Sequence, residues 1–207
     1  MLMALNREIV AGELLFHDDF TDDDLSSRWE ITGGEWTVKD GVLEGVYREN
    51  AGGLIYTNRL FPGDIMLDYY GLLVAPCCND LNFTFRANGW DYKTGDAGVG
   101  YIGGLGGWWK NRAGIEKYPE CRLQALTELF PAESEREYHI QTGIADDFIF
   151  LAVDGKMIVT LRDPEPITAA ECMRVGLGTY CSHARFRDFK IYRAVVSVKD
   201  LSYTPQF

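Results

Sequence analysis

Hydrophobic and polar residues alternate along most of this chain, most clearly in residues 79–112. The run LNFTFR, which begins at Leu81, places leucine and phenylalanine on one side of an extended chain and polar side chains on the other. A period of two predicts a β-strand with one face in a hydrophobic core and one polar face.

Two Asp-Gly pairs predict tight hairpins. Asp40-Gly41 lies inside GEWTVKDGVLEGVY, and Asp154-Gly155 lies inside FIFLAVDGKMIVTL. This dipeptide between alternating runs is a strong signal for a two-residue β-turn. Further strand segments are DIMLDYYGLLV, AGVGYIGG, REYHIQTGI, MRVGLGTY and ARFRDFKIYRA.

Helical patterns are weak. Residues 22–28 and 167–171 fit single helical turns, and CRLQALTELF fits a short helix or a strand equally well. Many evenly spaced antiparallel strands predict an all-β fold, a jelly-roll β-sandwich of two antiparallel sheets. We expect a single domain over residues 1–207, with residues 195–207 as a C-terminal extension.

Composition and charge narrow the class of partner. The chain is 46% hydrophobic, which predicts a globular fold, and its formal net charge is -11. Phosphate backbones and anionic membrane surfaces would be repelled, so we expect no nucleic acid and no membrane partner. The oligomeric state is left open.

Two further features bear on localisation. The N-terminal segment MLMALNREIVAGELLF lacks the basic and apolar regions of a signal peptide. The five cysteines are odd in number and irregularly spaced, which predicts reduced thiols. We therefore expect a cytoplasmic protein.

Glycine, tryptophan and tyrosine are concentrated after the LNFTFR strand, together with amides, carboxylates and a guanidinium. Flat rings can cover the C–H face of a pyranose while polar groups take its hydroxyls. The segment therefore predicts a small saccharide ligand. A buried aromatic plug with turn glycines would produce the same composition.

Strand alternation nominates polar side chains for one concave sheet. The predicted catalytic residues are His139 and Glu116, as base or acid, and Arg86, as a stabilising cation. The predicted substrate-binding residues are Asn82, Tyr101, Trp108, Trp109, Gln141 and His183. The alternatives are structural: a hydrogen-bonded histidine at 139, a salt-bridged arginine at 86 and a solvated glutamate at 116.

Four segments carry a family resemblance: FHDDFTDDDLSSRW, GEWTVKDGVLEG, FIFLAVDGKMIV and RVGLGTYCSHARFRDFKIYR. Their order over residues 14–194 resembles the concanavalin A-like lectin/glucanase superfamily. Within it, the chain looks closest to the 3-keto-disaccharide hydrolase-like and YesU-type families. The E-x-D-x-E strand of the superfamily's family-16 hydrolases does not occur here, which disfavours a retaining hydrolase of that type.

The resemblance also implies a metal site. Several members of the superfamily hold a structural calcium between the first and last strands, and the matching positions here are Asp19 and Asp188. The alternative is a solvated acidic loop that caps the turn at Leu25. No cofactor is expected to be required.

We therefore expect a cytoplasmic carbohydrate-active protein that cleaves or eliminates a glycosidic bond in a small oligosaccharide or keto-glycoside. Such a protein would be a glycoside hydrolase or lyase. The alternative is a non-catalytic, lectin-like carbohydrate-binding protein or subunit.

Overall fold

The computed structural model describes residues 2–4, 6–90, 98–107 and 111–198, and most of these lie in β-strands. The strands are β1 Leu2–Ala4, β2 Arg7–Asp18, β3 Trp29–Ile31, β4 Glu35–Lys39, β5 Val42–Thr57, β6 Ile65–Leu73, β7 Leu81–Ala87, β8 Gly100–Gly107, β9 Arg112–Tyr118, β10 Leu123–Leu126, β11 Tyr138–Ala145, β12 Phe148–Val153, β13 Lys156–Arg162 and β14 Arg174–Val198.

Helical structure is limited to short turns in the described residues. Leu25–Ser27 and Ala170–Cys172 form 3-10 turns, close to the two predicted single turns. The ambiguous segment CRLQALTELF contains a strand, β10. No helix in the described residues has the length and apolarity needed to span a bilayer.

The described strands form two antiparallel sheets that share β5 and β14. Sheet one has the order β4–β5–β14–β6–β11–β12–β13, with β2 on the second half of β14 and β1 on β2. Sheet two has the order β3–β5–β14–β7–β8–β9–β10. The predicted all-β jelly-roll sandwich is confirmed.

The predicted hairpin turns are also confirmed. Asp40 and Gly41 have φ values of 51° and 78°, and Asp154 and Gly155 have φ values of 52° and 76°. Two successive residues in the left-handed region are what a type I′ turn requires. These turns join β4 to β5 and β12 to β13.

The main core lies between the two sheets because their strands turn apolar rows inward. Leu67 and Tyr69 of β6 join Phe83 and Phe85 of β7 in one cluster, and all four side chains are fully buried. Burying one such side chain stabilises the fold by about 1.5–3 kcal/mol. The polar rows therefore point outward, and the outer faces of the two sheets lie on opposite sides of the sandwich.

The β1–β2 hairpin covers part of the outer face of sheet one. Leu2 and Ile9 of the hairpin pack with Met66, Phe148 and Phe150 in a second buried cluster. This packing leaves the neighbouring polar part of the same face partly exposed.

The end of β14 differs from the predicted C-terminal extension. Residues 195–198 pair with β2 as the last part of β14. Residues 199–207 lie outside the described part of the chain.

A bulge carries β14 from one sheet to the other. Cys181 has a φ of 49°, and the register against β5 shifts between Tyr180 and Ser182. A bulge inserts one residue and bends the strand. The part of β14 before Cys181 therefore lies beside β7 in sheet two, and the part after Cys181 lies beside β6 in sheet one.

Candidate functional site

Two cross-strand rows run over the outer face of sheet two, which we call the glycine face. The first row is Tyr56, Gly176, Thr84, Ile102, Glu116 and Gln124. The second row is Leu54, Gly178, Asn82, Gly104, Gly114 and Leu126. Neighbouring strands are about 4.8 Å apart, so each row spans roughly 24 Å. The second row contains three glycines, Gly178, Gly104 and Gly114.

Two of these glycines are closely packed against neighbouring residues, and at Gly104 one of the close neighbours is a backbone oxygen. A Cβ at Gly104 would collide with the Asn82 amide oxygen and the Leu81 carbonyl oxygen. A Cβ at Gly178 would lie 2.6 Å from a methyl carbon of Leu54. The Asn82 side chain therefore lies across a part of β8 that only glycine can occupy.

Buried polar atoms on the glycine face lack hydrogen-bond partners in the described part of the chain. They are Asn82 Oδ1, Thr84 Oγ1 and the Trp90 indole nitrogen. The Tyr56 hydroxyl is close to Thr84 without completing a hydrogen bond to it. An unsatisfied buried polar group costs about 1–3 kcal/mol. These atoms are the observation on this face that points most directly to a ligand.

The orientation of the Asn82 amide is set by a carboxylate. Asn82 Nδ2 donates to Asp80 Oδ1 at 3.4 Å, and a carboxylate can only accept. Asn82 Oδ1 is therefore the atom left without a partner. Burial raises the pKa of Asp80 above its ordinary value, although Asn79 and Asn82 both donate to it.

Glu116 places a buried carboxylate in the first row. Its exposed fraction is 8%, and its two oxygens accept from the Gln124 amide and from the Tyr118 hydroxyl, the latter at 3.1 Å. Burial raises the pKa of Tyr118, and contacts with Cys121 and Glu116 raise it further. Tyr118 therefore stays protonated and continues to donate to Glu116.

Asp80 and Glu116 are too far apart to work as a carboxylate pair. Glu116 is aligned with Thr84 through Ile102, and Asp80 lies four residues before Thr84. Two strand spacings and four residues correspond to roughly 16 Å between backbone positions. Known two-carboxylate glycosidase sites hold their carboxyl groups about 5–10 Å apart.

Arg86 does not lie on the glycine face as alternation predicted. Its φ of 45° and the register shift between β7 and β14 mark a bulge at this position. The buried guanidinium donates to the carbonyl oxygens of Ile167 at 2.8 Å and Gly63 at 3.2 Å, and lies 3.6 Å from Asp64. These contacts link the end of β7 to residues 63–64 and to Ile167.

Tyr101 is a core residue near the same end. It is fully buried, and its hydroxyl donates to Asp163 Oδ2 at 2.6 Å and accepts from the Ile167 amide at 3.2 Å. Lys117 lies 2.8 Å from the same Asp163 oxygen. The side chain therefore points between the sheets and not toward the glycine face.

His139 and Gln141 lie on the outer face of sheet one. His139 Nε2 is 2.8 Å from Asp68 Oδ1, and Gln141 Nε2 donates to Asp68 Oδ2 at 2.7 Å. The imidazole also stacks on Tyr70 with 4.7 Å between ring centroids. The predicted catalytic residues at 86, 116 and 139 thus occupy three separate places and do not line one pocket.

The remaining predicted binding residues fall elsewhere. His183 Nε2 lies 2.8 Å from Glu44 Oε1, and Arg185 Nε donates to Glu44 Oε2 at 2.6 Å, on the outer face of sheet one. The bulge at Cys181 explains why His183 leaves the sheet-two face on which Tyr180 lies. Trp108 and Trp109 lie outside the described residues.

The two predicted calcium ligands are engaged by other groups of the protein. Asp188 accepts from Lys190 Nζ at 2.5 Å and lies 2.9 Å from His17 Nε2; the Lys190 hydrogen bond lowers the pKa of Asp188. Asp19 accepts from the Thr21 hydroxyl at 2.7 Å. A calcium ion would have to displace the Lys190 ammonium, so this arrangement does not fit a calcium site.

Three further residues of the glycine face were not predicted as site residues: Gly114, Tyr118 and Gln124. The segment RAGIEKY alternates about Glu116. The same alternation would have placed Gly114 and Tyr118 on the face of Glu116. Assigning Gln124 to this face would also have required knowing that β10 pairs with β9.

Neither family models nor curated protein sequences match this chain. Solved structures do match it. A protein of unknown function with a galectin-like fold from Bacillus subtilis is 14% identical, with a TM-score of 0.71 over 91% of this chain and 99% of that one. The carbohydrate-binding module CBM66 from Bacillus subtilis is 15% identical, with a TM-score of 0.61 over 79% and 94%. The apo Crh5 transglycosylase is 12% identical, with a TM-score of 0.61 over 93% and 89%. At these identities, the matches establish the fold.

Proposed function

We propose that the protein binds a saccharide on the glycine face. The observation that carries the proposal is the pair of buried oxygens, Asn82 Oδ1 and Thr84 Oγ1, that have no partner in the described residues. A sugar hydroxyl can donate to either oxygen and so recover the cost of their desolvation.

Aromatic rings elsewhere on the glycine face support the same proposal. Trp90 and Tyr118 lie with their ring centroids 6.4 Å apart and their planes inclined by 46°. Trp90 also packs against Leu54 and Tyr56. Aromatic surface next to polar atoms suits the C–H face and the hydroxyls of a pyranose. The similarity to a carbohydrate-binding module is in keeping with this proposal.

Binding is better supported than cleavage. Glu116 and Asp80 are separated by roughly 16 Å of backbone, beyond the two-carboxylate range. His139 lies on the other sheet, and Arg86 is occupied by backbone carbonyls. Glycosidic cleavage or elimination is the second candidate, because Glu116 and the Tyr118 hydroxyl form one contact between an acid and a proton donor.

A cytoplasmic location is part of the proposal. The described part of the chain contains all five cysteines, at positions 77, 78, 121, 172 and 181, and no disulfide joins any two of them. Three of them, Cys78, Cys121 and Cys181, are exposed. Exposed thiols are retained in reducing compartments, which supports the cytoplasm over an oxidising one.

The test uses two matched threonine substitutions. Thr84 and Thr179 are both buried and both have hydroxyls without a partner in the described residues, but only Thr84 lies in a row of the glycine face. Thr84→Val should weaken binding of a saccharide, first identified on a glycan array, by about 2–10-fold, the scale of one hydrogen bond. Thr179→Val should leave binding unchanged.

Isothermal titration calorimetry measures both affinities. Neither variant should lower the melting temperature, since neither substitution removes a hydrogen bond from the described part of the folded protein. Absence of binding to any glycan at millimolar concentration would contradict the proposal. Equal affinities for the wild type and Thr84→Val would remove the glycine face as its location.

A further inference from the structure

A long edge of β2 has no strand beside it in the described residues. Along one side, β2 pairs with β14 from Arg7 to Asp18, whereas on the other side β1 covers only Arg7–Ile9. Residues 10–18 therefore form an open edge that is longer than the outermost strands β4, β10 and β13. Glu13 is the only charged residue in its first part, VAGELLF. An open, mostly apolar edge is a template on which another chain can add a strand.

Two arginines occupy main-chain oxygens of this edge. Arg28 Nη1 donates to the His17 carbonyl oxygen at 3.1 Å, and Arg59 Nη1 donates to the Leu15 carbonyl oxygen at 3.4 Å. Both arginines line a cleft of about 420 Å³ together with residues 14–17, and among the described residues none from β14 lines it. The two guanidinium groups therefore lie on the open side of β2, away from β14.

The surroundings of the two arginines hold them at this edge. The Asn58 main-chain nitrogen donates to the Arg28 carbonyl oxygen at 2.8 Å, which joins the two segments that carry the arginines. The Arg28 guanidinium also lies 3.6 Å from Asp18, and the Arg59 guanidinium lies 5.5 Å from the Phe61 ring centroid. A strand that paired here would have to displace both guanidinium groups from these contacts.

We propose that Arg28 and Arg59 keep the open edge of β2 from pairing with a second copy of this chain. A second copy presents the same edge, and antiparallel pairing of two identical strands about a two-fold axis is self-complementary. Each copy would first have to give up two charge-assisted hydrogen bonds to its own carbonyl oxygens. Two register shifts between β2 and β14 interrupt the edge within residues 11–16 and oppose pairing in the same direction. This inference is independent of saccharide binding.

The test replaces both arginines by methionine, which keeps a long apolar side chain and removes the donors. Size exclusion with light scattering measures the mass of the protein at micromolar to millimolar concentrations. The double variant Arg28→Met/Arg59→Met should self-associate at least about tenfold more tightly than the wild type, because the freed carbonyl oxygens of both copies can then accept strand hydrogen bonds.

The matched control is Arg122→Met/Arg162→Met, which changes the net charge by the same amount. Both arginines are largely exposed and pair with the side chains of Glu120 and Asp147. The control should associate no more tightly than the wild type. Equal association of the two double variants would attribute the effect to net charge and overturn the role of the edge.

Hydrogen exchange measured by mass spectrometry locates the contact. Peptides from residues 10–18 should gain protection as the concentration of Arg28→Met/Arg59→Met rises, and the same peptides of the wild type should not. Wild-type mass of the variant at every concentration, or association without protection of residues 10–18, would overturn the inference. Concentration-dependent protection of these residues in the wild type would overturn it as well, because the edge would then already pair. If the double variant does not fold, Arg28→Met and Arg59→Met should each show a smaller shift in the same direction.

Discussion

Asn82 on β7 and Gly104 on β8 are cross-strand partners, and the Asn82 amide occupies the space that a Cβ at Gly104 would need. The side chain that holds a buried, unpartnered oxygen on the glycine face thus depends on a glycine in the next strand. The orientation of that amide depends in turn on Asp80. One glycine and one carboxylate together position the acceptor that we propose as central to binding.

Gly104→Ala should therefore damage both stability and binding. The added methyl group would collide with the Asn82 amide and with the Leu81 carbonyl oxygen, and overpacking of this kind costs about 1–3 kcal/mol. Urea denaturation measures the stability change, and calorimetry measures saccharide affinity. An alanine variant with wild-type values for both would show that Asn82 has another orientation.

Asp80→Asn should stabilise the protein at neutral pH. Burial raises the folded-state pKa of Asp80, so ionisation opposes folding, and its cost grows as the pH rises above the ordinary value of 3.8. The variant should gain free energy of unfolding at pH 7 relative to the wild type and lose this advantage at about pH 3. Denaturant titrations at both values measure the difference, and a destabilised variant at pH 7 would contradict it.

Asp188→Asn should have the opposite pH dependence. The hydrogen bond from Lys190 lowers the folded-state pKa of Asp188, with a further contribution from His17. The ionised carboxylate therefore stabilises the fold above the ordinary pKa of 3.8, and this stabilisation is lost as the pH falls through the lower folded value. The variant should melt below the wild type at pH 7, with the two curves converging in acid. A constant difference across this range would indicate that the charge of Asp188 is not involved.

Arg86→Met should lower stability without changing saccharide affinity. The substitution leaves the Ile167 and Gly63 carbonyl oxygens without their donor, which should cost about 1–3 kcal/mol of unfolding free energy. The guanidinium points away from the glycine face, so the dissociation constant of the folded variant should match that of the wild type. A large loss of affinity or turnover in folded protein would restore Arg86 as a site residue.

Thiol titration tests the oxidation state of the cysteines. Protein purified without reductant and denatured in guanidinium should react with thiol reagent at all five positions, since no disulfide joins them in the structure. Titration of reduced protein provides the control. Only one reactive thiol before reduction would reveal two disulfides and exclude a reducing compartment.

Local sequence signals predicted the architecture because its determinants are local. The pairs Asp40-Gly41 and Asp154-Gly155 adopt the left-handed backbone that a type I′ turn needs, and alternation in LNFTFR identified the inward phenylalanines. Asn82 and Glu116 lie on one face because β7, β8 and β9 are neighbours in one sheet.

The arrangement of the predicted catalytic residues depends on information that alternation does not contain. Alternation identifies which residues share one face of a strand, but not which of two stacked sheets that strand joins. His139 was therefore grouped with Glu116 although they lie on opposite sides of the sandwich. Arg86 was misplaced for a different reason, because a bulge at a φ of 45° interrupts the period of two.

The sharing of β14 by both sheets has a consequence for the order of folding. Residues 174–198 pair with β2, β5, β6 and β7, all of which lie within the first 87 residues. During synthesis, these four strands leave the ribosome long before the segment that joins them. The sandwich can close only after translation has passed residue 198, and pairing over such sequence separations is slow. Until β14 has been synthesised, the nascent chain exposes unpaired strand edges that can associate with other chains. Expression at low temperature or with chaperones should therefore favour soluble protein.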